Sequence, residues 1–226
     1  MKPTQTVVFD IIGTCFSLDK PKQKLEELGA PAHSFTLWFA QTLRDAFALS
    51  HAGSYRPLKE VLEAELPRTL KTLGVKADSV QMSNIVKSFT ELELATGANE
   101  SFKMLKEQGY RLVALTNGSE DSTRQLLERA GSINYFDQIL SCDAVSKTKP
   151  YPDVYALIDK DVAGDVWMVA AHAWDIAGAN MAKMKTAFIT TEEKEYLSIY
   201  PEPDVLASSL LEAANKIIEV KTKNVF

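Results

Sequence analysis

Cysteine is scarce in this chain of 226 residues: only Cys15 and Cys142 occur, far apart and without metal-ligand spacing. That pattern excludes a disulfide framework and fits a reducing compartment, so the expected location is the cytoplasm. Long apolar runs are missing as well. No uninterrupted stretch approaches the roughly 20 residues a helix needs to span a bilayer. Met1-Lys2-Pro3-Thr4 passes within a few residues into a strand-like segment, with no charged-then-apolar leader. Positive charge is not in excess either. Lys and Arg number 25 against 30 Asp and Glu, a formal net charge of -5. A general nucleic-acid surface needs the opposite balance, although a local basic pocket for a small anion is still allowed. Repeats, low-complexity tracts and long charge runs are also absent. What is present is an ordinary globular composition, 46% hydrophobic and 24% charged, enough for one sizeable domain or for a core carrying a smaller inserted one.

Thr6-Val7-Val8-Phe9-Asp10 is a continuous, β-branched apolar run ending in a carboxylate. Apolarity without alternation marks a strand buried on both faces. Similar runs recur at 111–115, 138–140, 166–169 and 186–189, with helical stretches predicted at 120–130, 153–160 and 175–184. Strands alternating with helices imply crossover units and a parallel sheet, an α/β fold. A last helix is predicted over 204–220. The stretch 17–97 breaks the alternation and reads as helices over 20–28, 33–49, 57–73 and 79–94, with Pro67 expected to kink or divide the third. Helices inserted after the first strand would lie over the sheet's carboxyl edge, where open parallel sheets bind ligands.

Four segments put polar residues directly after a buried strand: Phe9-Asp10-Ile11-Ile12-Gly13-Thr14, Leu115-Thr116-Asn117-Gly118-Ser119, Lys147-Thr148-Lys149-Pro150 continuing to Tyr155, and Ala170-Ala171-His172-Ala173-Trp174-Asp175. An Asp followed by Gly-Thr, then Thr-Asn-Gly, then Lys-Pro, then a late Asp resembles the haloacid dehalogenase superfamily over nearly the whole chain. Ala-Trp-Asp resembles its 2-haloacid dehalogenase branch more than its phosphatases. The resemblance implies a Rossmann-like parallel sheet flanked by helices, with a core at 1–16 and 98–226, a helical cap domain at 17–97, and room for a homodimer through the exposed face of the cap. It also implies a hydrolase acting on a small anionic molecule.

Within that pattern Asp10 would attack the substrate and form a covalent ester, splitting one hard displacement into two easier steps. Lys149 would hold its carboxylate ionised. Thr14 would hydrogen-bond it or close the turn, and Asp175 would orient Lys149 or the hydrolytic water. Thr116 and Asn117, beside a helix N-terminus, form an anion site. Tyr155, His172, Ile12 and Phe39 are candidate substrate contacts. Most have a structural alternative: Asp10, Thr116, Asn117 and Asp175 as turn or helix caps, Lys149 as a solvated surface lysine, His172 as a packed or surface histidine, Tyr155 and Trp174 as packing residues. Cys15 reads as a buried filler.

The departures from the pattern are informative. Phosphatases of the superfamily carry a second Asp two residues after the nucleophile to protonate the leaving alcohol. Here that position is Ile12, which cannot move a proton. Ala171 stands where those enzymes tend to have an acidic residue, so a dedicated magnesium site is poorly furnished. A halide needs no proton to leave, and the dehalogenase reading requires no cofactor. Dehalogenases, however, usually have Tyr at the Ile12 position, Arg at Phe39, Asn at His172 and Ser at Ala170. Arg44 lies more than a helical turn beyond Phe39. The expectation is therefore a metal-independent, (S)-2-haloacid dehalogenase-like hydrolase with an altered substrate, such as a strained ring. The alternatives are a small-metabolite phosphatase, the only reading that calls for magnesium, and a binding protein on the same fold.

Overall fold

The structure, a computed structural model, describes residues 5–158 and 164–223. Its centre is a six-stranded sheet, every neighbouring pair parallel, in the order β3-β2-β1-β4-β5-β6. The strands are β1 (Thr6–Asp10), β2 (Arg111–Thr116), β3 (Gln138–Ser141), β4 (Val166–Ala170), β5 (Lys185–Ile189) and β6 (Val205–Ala207). Every residue of β1 is buried, as its unbroken apolarity requires of a strand covered on both faces. From β1 the chain winds outward through β2 to β3, then returns to β4 on the other flank of β1. That reversal opens a crevice at the carboxyl ends of β1 and β4, the ends that carry Asp10 and the turn to His172.

Five helices lie between β1 and β2, and the first four, within 17–97, are α1 (Asp19–Glu27), α2 (Ser34–His51), α3 (Leu58–Thr72) and α4 (Ser79–Lys87). They pack on one another around Phe35, Trp38, Phe39 and Phe89, with Phe35 stacked on Phe39 at 5.5 Å and Trp38 edge-on to Phe89 at 5.8 Å. The remaining helices are α5 (Ala98–Glu107), α6 (Glu120–Arg129), α7 (Pro152–Tyr155), α8 (Ala173–Met181) and α9 (Leu210–Lys223). The inserted helices cover the sheet's carboxyl edge. Ser50 Oγ accepts the Thr148 N–H at 3.0 Å, Lys147 donates to the Ser50 carbonyl at 3.2 Å, Tyr55 donates to Asp143, and Phe47 packs edge-on to Trp174 at 5.2 Å.

Several expectations need correction. Pro67 does not divide α3, which runs unbroken through it. Val61, Leu62, Leu66 and Leu70 are buried along this helix, and at about 1.5–3 kcal/mol each they outweigh the roughly 3 kcal/mol an interior proline costs. The helix from Ser79 ends at Lys87 and continues only as a 3-10 turn, Ser88–Thr90. Residues 205–207 are not helical but form the edge strand β6, paired with β5. Helix α9 starts only at Leu210, where Ser209 Oγ accepts the Glu212 N–H and Glu212 returns to the Ser208 N–H. Helix α5 was not anticipated. The helix expected over 153–160 appears as the short α7, and its last two residues lie outside the described ones. Among the described residues no helix is long and apolar enough to cross a membrane.

Candidate active site

Asp10, the last residue of β1, points into the crevice and is 4% exposed. Its Oδ1 accepts from Lys149 Nζ at 2.7 Å, and its Oδ2 accepts from Thr14 Oγ1 at 2.7 Å. Thr14 Oγ1 in turn accepts the Ala171 N–H at 2.9 Å. The turn after β1 is thereby tied to the end of β4. Gly13 makes the turn possible: its φ is +83°, and a Cβ there would lie 2.8 Å from the His172 ring. Any side chain would be both strained and obstructed.

Lys149 is wholly buried and spends all three ammonium protons. They go to Asp10 Oδ1, to Asp175 Oδ2 at 2.6 Å and to the Leu115 carbonyl at 3.1 Å. Burial alone would strip its proton, but Asp10 and Asp175 prevail and hold it above the ordinary lysine value. Burial likewise works against the Asp10 carboxylate, yet Lys149 and His172 hold it well below the usual carboxylate range. Asp175 accepts Tyr155 Oη–H on Oδ1 at 2.6 Å. Burial, with Asp10 adding to it, pushes the Asp175 carboxyl upward against the pull of Lys149. His172 Nδ1 lies 3.2 Å from Asp10 Oδ2. Burial there is outweighed mainly by Asp10, and the imidazole is raised above its ordinary value.

Asp10, Thr14, Lys149, Asp175 and His172 are thus brought together as the sequence pattern anticipates. Other candidates are placed differently. Tyr155 does not line a pocket: it is wholly buried behind Asp175. Helix α8 approaches it at Gly178, where a Cβ would collide with the Tyr155 hydroxyl. Asn117 is scaffold, its Oδ1 accepting the Lys149 N–H at 2.9 Å and the Cys142 thiol at 2.9 Å. Thr116 is fully buried and its Oγ1 accepts the Gly118 N–H, closing the turn. Phe39 is buried in the aromatic stack with Phe35 and Phe89. Arg44 is exposed and paired with Asp45 at 2.8 Å, so it offers no cation to the crevice. Ile12 overlies Gly118 and forms part of the wall of a cavity of about 630 Å³ between the inserted helices and α6, with Leu62, Val86 and Phe89 opposite. Those three walls, the Leu115 carbonyl and the Cys142 thiol were missed. Backbone acceptors and the facing of core positions on inserted helices leave no mark in residue spacing.

The donor set suits an ammonium group better than a divalent cation. Lys149 Nζ already bridges Asp10 and Asp175, the two carboxylates that would bind magnesium. Among the described residues no three His, Cys, Asp or Glu side chains converge as metal ligands.

A doubly wound parallel sheet with a buried carboxylate–ammonium–carboxylate centre at its switch point defines a class of α/β protein built for anionic chemistry at that edge. The chain belongs to the haloacid dehalogenase-like hydrolase family, whose model matches residues 4–183. The (S)-2-haloacid dehalogenase of Pseudomonas sp. (strain YL) is 27% identical over 209 residues, covering 90% of each chain. The solved structure of L-2-haloacid dehalogenase from Xanthobacter autotrophicus superposes with a TM-score of 0.84 at 21% identity, over 95% of this chain and 98% of that one. The same enzyme with chloropropionic acid covalently bound gives 0.82, at the same identity and coverage. At this identity the two structures establish the fold.

Proposed function

We propose that this hydrolase displaces a leaving group from an sp³ carbon of a small carboxylic acid, with Asp10 as nucleophile and an aspartyl ester as intermediate. The observation that carries the reading is the Asp10–Lys149–Asp175 cluster. A buried ammonium keeps Asp10 ionised, and the carboxylate is fixed by Thr14 at the mouth of a crevice. A nucleophile stripped of water but still charged is what displacement of a halide demands. The Xanthobacter relative carries chloropropionic acid covalently, and an ester on Asp10 would be the matching intermediate here. The helices of 17–97 act as a cap that excludes water once substrate is bound. Ile12, apolar where dehalogenases usually carry Tyr and part of a cavity wall, supports a substrate bulkier or less polar than a two- or three-carbon haloacid. The substitution of Ile12 for the phosphatase proton donor, together with the lysine bridge between the carboxylates, favours this reading over phosphoryl transfer.

The test is mass spectrometry of the protein after multiple turnovers in ¹⁸O-labelled water with a panel of 2-haloacids of increasing chain length and strained-ring acids. Incorporation of ¹⁸O into Asp10, lost in Asp10→Asn, is the expected result. Magnesium-dependent phosphate release without label in Asp10 would replace this reading with the phosphatase one. An inert protein that a small acid stabilises thermally would replace it with a binding function.

A further inference from the structure

Asp10, Asp175 and Lys149 carry two negative charges and one positive, which leaves one buried negative charge uncompensated. The group positioned to answer it is His172, on the turn from β4 into α8. Its ring stacks on Trp174 at 5.1 Å and 25°, packs its edge over Gly13, and sets Nδ1 at 3.2 Å from Asp10 Oδ2. The charged groups around it are Asp10 from β1, Asp175 from α8, Glu193 from the segment after β5, and Lys149 on the far side of Asp10. The loop after β1 brings Gly13 against the ring's edge.

We propose that His172 is a catalytic base of this chain, taking the proton from the water that hydrolyses the Asp10 ester. The inference rests on the ester mechanism proposed above. Other groups at the site are already committed. Lys149 has three acceptors, Asp175 holds Lys149 on one oxygen and Tyr155 on the other, and Thr14 Oγ1 donates to Asp10 while accepting from Ala171. Among the described residues the only hydrogen bond of the His172 ring is the one to Asp10, and that bond changes character when the ester forms. Esterification removes the Asp10 charge, so Asp175 and Lys149 now cancel each other. Burial then disfavours a charged imidazole, and His172 sheds its proton as the leaving anion departs.

The neutral Nδ1 next accepts a proton from water as the water oxygen bonds to Asp10 Cγ and the carbonyl electrons move onto oxygen. Collapse of that tetrahedral species breaks the bond between Cγ and the ester oxygen. The departing alkoxide takes the proton from the imidazolium and leaves as the hydroxy acid. The carboxylic proton left on Asp10 passes to His172, restoring the original ion pair. One water is consumed, and one proton and one leaving anion are released per cycle.

The experiment follows chloride release and intact-protein mass with (S)-2-chloropropionate and longer 2-chloroacids, for wild type, His172→Gln and His172→Ala. Loss of a general base lowers kcat by roughly 100-fold or more. A protein-bound ester should then accumulate in both variants, with an initial burst of about one chloride per chain. A second readout needs no turnover. The chain has three histidines, so the imidazole of His172 is readily followed by NMR. In wild type it should titrate above the ordinary histidine value of about 6.5, and in Asp10→Asn, which lacks the carboxylate charge as the ester does, below it. Wild-type kcat in both variants without trapped ester, or an unchanged His172 titration in Asp10→Asn, would overturn the proposal. A wild-type protein that neither releases halide nor labels Asp10 with any acid of the panel removes the ester mechanism itself, and this role with it.

Discussion

Lys149 shows how a single residue can be required by its neighbours more than by its own contacts. Fully buried between two carboxylates, it is costly to desolvate, yet removing it is worse because it strands two charges. Lys149→Met should therefore unfold at lower urea, with a loss of about 3–5 kcal/mol near neutral pH, and activity should fall by about 10²–10³-fold. The pH dependence has a definite sign. Asp10 is depressed in the folded state, so its stabilising contribution is present above the unfolded value of about 3.9 and is lost as pH falls through the folded value. In the variant the crowded carboxylates instead gain by protonation. The stability gap between the two proteins should narrow below about pH 4. A gap that widens in acid would refute this arrangement of charge. Asp10, Lys149 and Asp175 were legible as a group because Asp-x-x-Gly-Thr, Lys-Pro and Trp-Asp each follow a recognisable strand. Tyr155 was legible as a position but not in its role, since only the packing of α7 on α8 shows that its hydroxyl meets Asp175 from behind.

Among the elements, α3 and β6 show where local signals lose to tertiary context. The apolar face of α3 keeps the helix continuous although Pro67 has no N–H to offer the Glu63 carbonyl. Pro67→Ala restores that donor, and the urea midpoint should rise by the equivalent of about 1 kcal/mol or more, offset in part by the freer unfolded chain. A fall in the midpoint would mean that the ring itself packs usefully. Val205-Leu206-Ala207 is too short to announce itself as a strand, and it exists because β5 leaves an edge for it to pair with. The β1, β2, β4 and β5 cores were readable for the opposite reason. Strands buried on both faces must be apolar throughout, and that leaves an unmistakable run.

The whole molecule is closed over its own chemistry. Asp10 is almost inaccessible, and we expect substrate to enter as the helices of 17–97 draw away from the sheet edge. The contacts that hold them there include Ser50 to Thr148 and Tyr55 to Asp143. Ser50→Ala removes the acceptor of the Thr148 N–H at a cost of about 1 kcal/mol, a shift of roughly 2–4 °C in Tm for a chain of this size. That amide should exchange its hydrogen faster, and kcat/KM should change severalfold if closure is part of the cycle. Unchanged exchange would show that the contact does not hold the closed state. By itself the sequence determined the family, the parallel sheet, the helical insertion and the order in which its polar segments reach one edge, because buried strands and the turns that follow them constrain residue type locally. Only the tertiary structure decided that His172 touches Asp10, that Tyr155 stands behind Asp175, that Phe39 joins an aromatic stack and Arg44 an ion pair, and that Ile12 walls a cavity. Those facts depend on which faces of separate elements meet, and residue spacing along one chain does not encode a facing that packing between distant segments selects.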